Sequence, residues 1–65
     1  MKLLKLPDVF SLKPGQTVYD EKAKIKGTIS DIRESKSECI DAYVIWDGQD
    51  KEEILLTWPY IKLVA

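Results

Sequence analysis

From Tyr43 to Val64 the chain alternates apolar and polar residues in two stretches around a polar turn, then passes a proline-centred turn into a last apolar stretch. Ile40, Ala42, Val44 and Trp46 fall on one side of an extended chain from about Cys39 to Asp47. Asp41, Tyr43 and Ile45 fall on the other. That two-residue period belongs to a half-buried strand and not to a helix. Gly48 to Lys51 turns the chain, and Glu52 to Thr57 reads as the next strand, with Ile54 and Leu56 inward and Leu55 opposite. Trp58-Pro59-Tyr60 reads as a single 3-10 turn, since proline presets the backbone for a turn. Ile61 to Val64 is the closing strand.

The first half supplies two more strands. Lys13-Pro14-Gly15-Gln16 is a turn, Gln16 to Asp20 a strand with Val18 inward, and residues 20–24 a polar loop. From Ile25 to Arg33 the residues Ile25, Gly27 and Ile29 share a face, but Ile32 is out of phase. An apolar residue out of phase predicts a bulge or sharp bend near Ser30 or Asp31. Residues 34–38 read as a polar hairpin loop. Residues 1–12, with Leu3, Leu4, Leu6, Val9, Phe10 and Leu12, are too apolar for a free tail, and Pro7 and Pro14 leave no room for a stable helix. The expectation is an all-β fold: a five-stranded small barrel over residues 13–65, with an extended apolar arm over residues 1–12 packed on the barrel or on a partner.

Thr17-Val18-Tyr19-Asp20 and Trp58-Pro59-Tyr60-Ile61 resemble two marks of SH3 domains, an aromatic-acidic opening segment and a Pro-x-x-Tyr-like turn before the last strand. Gly15-Gln16-Thr17-Val18, followed by Lys26-Gly27-Thr28-Ile29, is similar to the opening of KOW and Tudor-like barrels. Val44-Ile45-Trp46-Asp47-Gly48 is similar to the strand end of Tudor and chromo-type domains. The resemblance spans residues 14–64 and implies an SH3-like barrel, an architecture that holds partners more often than it does chemistry. The tandem tryptophan of SH3 domains is missing, which argues against proline-rich recognition. The basic character of ribosomal KOW proteins is missing too.

Sixty-five residues allow one small core, with a net stability of roughly 3–5 kcal/mol. Charge is uneven: residues 1–36 hold eight Lys/Arg against five Asp/Glu, and residues 37–65 two against six. The net charge of -1 argues against a strong non-specific grip on nucleic acid, which depends on neutralising phosphates. Cys39 is the one cysteine, so no disulfide forms within the chain and a cytoplasmic address is expected. The start of the chain is too short and charged for a signal peptide, and no apolar run nears the roughly 20 residues of a membrane helix. Without histidine the chain lacks the usual general base near neutral pH and the commonest metal ligand. Cys39 is expected to be a small buried hydrophobe. No phosphate loop, dinucleotide fingerprint or zinc spacing is present. No catalysis, cofactor or metal is expected.

The candidate site residues are therefore recognition residues. Tyr19, Tyr43, Tyr60, Trp58 and Trp46 could form an aromatic surface, with the two tryptophans alternatively plugging the core. Tyr43, opposite Val44 and Trp46, and Tyr60, on a turn, have the better claim to exposure, and Tyr19, Tyr43 and Tyr60 are the expected exposed anchors. Lys22, Lys24 and Lys26 would form a basic stripe if extended, able to meet phosphates or an acidic protein, or else a solvated edge. Asp47, Asp50, Glu52 and Glu53 form an acidic turn that could dock a basic surface, and their spacing does not match a calcium loop. The first expectation is an interaction module or accessory subunit that binds a protein partner, and the alternative is a nucleic-acid-binding barrel that uses Lys22, Lys24 and Lys26.

Overall fold

The computed structural model describes residues 1–34 and 39–65. Its strands are β1 (Leu3–Lys5), β2 (Thr17–Asp20), β3 (Ile25–Glu34), β4 (Ile40–Trp46), β5 (Glu53–Ile54) and β6 (Ile61–Val64), with a 3-10 turn at Val9–Ser11. They form one antiparallel sheet in the order β1-β6-β2-β3-β4-β5. The meander from β2 to β5 is local pairing. β6 then returns to β2, Val18 facing Leu63 and Asp20 facing Ile61. The ladder does not close, and β1 and β5 stand at its two ends.

The count is six strands among the described residues, not five, because part of the arm is itself a strand: Leu3, Leu4 and Lys5 pair with Val64, Leu63 and Lys62. The end of the same segment supplies Leu12 to the core. Val18, Ile29 and Val44, β-branched residues of the three central strands, are fully buried, and Leu12, Ala42, Leu55 and Ile61 complete the core. Gly27 makes room for it. A Cβ there would stand 2.7 Å from Trp46 Cε3 and from Val44 Cγ2, so only glycine lets the indole lie across β3.

The bend of β3 falls where the sequence predicts it. Ile29 pairs with Val44 and Asp31 with Tyr43, leaving Ser30 as the extra residue of a bulge. Ile32 thereby returns to the core side, opposite Ala42. β5 and the residues just after it correct the expectation. Leu55 is 6% exposed, whereas Ile54 and Leu56 are 50% and 58% exposed. With three apolar residues in a row the alternation has two phases. The one realised has the Leu55 amide donating to the Ala42 carbonyl at 2.8 Å. Before β6, the Ile61 amide donates to the Trp58 carbonyl at 2.9 Å, closing a single turn around Pro59. Cys39 is exposed, not buried, because it precedes β4 and has no place in its alternation. The loop expected over residues 34–38 lies, from residue 35 on, outside the described residues.

Candidate interaction site

β1 and β6 pair only as far as Lys5 and Lys62. Beyond them the two chain segments splay, and the gap is a groove of about 620 Å³. Leu6, Pro7 and Val9 line one side, and Trp58, Pro59 and Ile61 the other. Trp58 is 52% exposed, so its indole is available to a ligand. Two prolines stiffen the walls without adding backbone donors, and the groove is mostly apolar, with Asp8 and Thr57 among its polar lining. Lys5 and Lys62, which also line it, are cross-strand neighbours on one sheet face. Like charges placed opposite each other repel, and a carboxylate from outside would relieve that repulsion. Lys62 has one internal carboxylate, Glu21, at 3.8 Å. Lys5 makes no ion pair among the described residues, although Asp8 lines the same groove.

The same row continues across the sheet. Lys62 faces Tyr19, and Tyr19 faces Lys26, so Lys5, Lys62, Tyr19 and Lys26 share the outer face, with Tyr19 half-buried between lysines and not the exposed anchor expected. This is not the expected stripe. Lys22 and Lys24 lie in the turn after β2. There Asp20 Oδ1 accepts hydrogen bonds from the amides of Lys22 and Ala23, both 2.9 Å. Lys24 adopts a left-handed φ of 58°. The chain is not extended here, so of the three only Lys26 is on a strand.

A second cluster sits where β3, β4 and β5 meet. Arg33 donates to Asp31 Oδ2 at 2.8 Å and to Glu52 Oε1, while its guanidinium carbon lies 4.2 Å from the centre of the Tyr43 ring. Ser30 donates to Glu52 Oε2 at 2.8 Å. The hydrogen bond from Arg33, helped by the Ile32 amide, holds the Asp31 carboxyl below its ordinary range, and the two carboxylates raise the Arg33 guanidinium. Every charge here has a partner, so the cluster pins β5 to the bulge and leaves nothing for a ligand. Tyr43 is its half-covered floor, not the exposed anchor expected. Tyr60 is likewise half-buried against the core, under Lys22 Nζ at 5.5 Å. Trp46 packs against the core. Of the five aromatic candidates, Trp58 is the exposed one.

Asp47 and Asp50 are exposed on the turn after β4, and Glu53 is exposed in β5. Among the described residues no three His, Cys, Asp or Glu side chains could hold a metal ion. No helix there is long and apolar enough to cross a membrane. Comparison with known protein families, curated sequences and solved structures finds no match. Sequence reasoning missed Lys5, Lys62 and the proline walls, since their juxtaposition depends on the long-range pairing of β1 with β6. The sole local signal was Pro7, which ends the extended arm.

Proposed function

We propose that the chain is a non-catalytic interaction module, its sheet curled as a small SH3-like barrel, that holds a segment of a protein partner in the groove beside Trp58. The observation that carries this reading is the half-exposed indole on the wall of a stiff apolar groove, the kind of residue that dominates binding energy at protein interfaces. Lys5 and Lys62 outnumber Asp8 at the groove and so give the partner a charge: an apolar segment followed by a carboxylate satisfies both features.

A second reading has its own observation. Tyr19 between Lys62 and Lys26 combines a ring that can stack with cations that can neutralise phosphates, as single-stranded nucleic acid requires. Capture from nuclease-treated lysate on immobilised protein separates the two. The groove reading expects a stoichiometric protein that survives nuclease and is lost with Trp58→Ala, a substitution that spares the core. Retention that collapses with nuclease, survives Trp58→Ala and falls with Lys26→Gln assigns the site to the lysine row instead.

A further inference from the structure

We propose that copies of this chain associate head to tail, β5 of one pairing with β1 of the next in one antiparallel register that sets Leu3 opposite Ile54 of the second copy. The backbone supplies the first argument. The Ala65 amide bonds the Lys2 carbonyl, and Leu4 pairs with Leu63. Hydrogen-bonded pairs alternate along an antiparallel ladder, so Leu4 is bonded to β6, while the N–H and C=O of Leu3 and Lys5 point away from it. At the other end of the sheet the Leu55 amide bonds the Ala42 carbonyl and Tyr43 faces Ile54. By the same alternation, the N–H and C=O of Ile54 point away from β4. Among the described residues each end of the sheet is an open edge, the feature through which sheets pair with other chains.

The side chains select which edges meet. The β1 edge is basic, with Lys2 and Lys5. The chain leading into β5 is acidic, with Asp50, Glu52 and Glu53 against Lys51. Joining β1 to a second β1 would bring lysines together and leave β5 uncovered. Joining β1 to β5 brings opposite charges together instead. With Leu3 opposite Ile54, antiparallel counting sets Lys5 opposite Glu52 and Met1 opposite Leu56. Met1, Ile54 and Leu56 are 68%, 50% and 58% exposed, so this register covers three of the large exposed hydrophobics and sets Lys5 beside a carboxylate that Arg33 and Ser30 already hold in place. Leu3, Lys5 and Ile54 also share the outer face with Tyr19 and Tyr43, so the combined sheet keeps one outer surface. The contact is short and far below the area of a stable dimer, so a dissociation constant on the order of 1 mM is expected. Because the two edges differ, repetition gives a ring or an open chain of copies.

Edge-blocked variants test this. Leu3→Pro and Ile54→Pro each remove an outward-facing N–H without touching a bond within the chain. Sedimentation velocity from micromolar to millimolar protein should show wild-type mass rising with concentration and each variant alone remaining a monomer. A mixture of the two variants should form a one-to-one dimer, since one retains the β5 edge and the other the β1 edge. A wild type that stays monomeric, a single variant that still self-associates, or a mixture that stays monomeric while the wild type associates each overturns the proposal. If circular dichroism shows that a proline variant does not fold, Lys5→Glu decides. It places a carboxylate opposite Glu52 and should weaken wild-type association about tenfold at low salt, and unchanged association overturns the register.

Discussion

Of the three glycines, Gly27 alone is held by its surroundings. Its missing side chain is the space filled by the Trp46 ring and a Val44 methyl, and Val44 is fully buried and stiff about its first torsion. Gly27→Ala should therefore destabilise the protein by about 1–3 kcal/mol, as overpacking does, read as a lower urea midpoint with an unchanged slope. Asp31 offers a gentler test. Its carboxyl is held below the ordinary value of 3.8, so its ionised form stabilises the folded chain above that pH. The contribution fades as pH falls below 3.8 through the lower folded-state value. Asp31→Asn should be the less stable protein at neutral pH, and the gap between the two urea midpoints should shrink on acidification through that window. A gap that is flat with pH would separate Asp31 from the Arg33 hydrogen bond.

At the scale of elements, the first twelve residues divide in two. β1 adds a short strand whose Leu4 stays exposed, whereas Leu12 is 3% exposed among the core side chains. Leu12→Ala should cost about 2–5 kcal/mol, most of what a chain this small has to lose. Deleting residues 1–5 should cost less, and thermal melts of the two proteins decide the order. The bulge of β3 was legible beforehand because Ile32 breaks the alternation, and a single out-of-phase residue has one simple remedy. The phase of β5 was not, because Ile54, Leu55 and Leu56 are all apolar and either face satisfies the pattern. β1 was readable only as something extended and apolar. Three residues carry no period, and its partner β6 lies at the other end of the chain. The same separation hid the groove. Trp58 and Pro7 are about fifty positions apart, and no local pattern says that they line one gap.

The whole molecule is a sheet with protected centre and open ends, and that gradient should be visible in amide exchange. β2, β3 and β4 contribute the three fully buried side chains, and β3 is paired on both sides. Over residues 25–29, where β2 or the chain just before it lies on its second side, its amides should exchange only through global unfolding. Toward the ends protection should alternate residue by residue. Leu4, bonded to β6, should exchange more slowly than Leu3 and Lys5, whose N–H groups face water. Leu55, bonded to Ala42, should exchange more slowly than Ile54. Exchange measured by NMR at low and high protein concentration then joins the fold to its assembly. Pairing of β5 with β1 of another copy consumes the outward groups of Leu3, Lys5 and Ile54 and no others in the strands. Those three amides should slow as concentration rises while Leu4, Leu55 and the central strands keep their rates. Slowing spread evenly over the sheet would instead mean that crowding or association elsewhere stabilises the whole chain, and would leave both edges free.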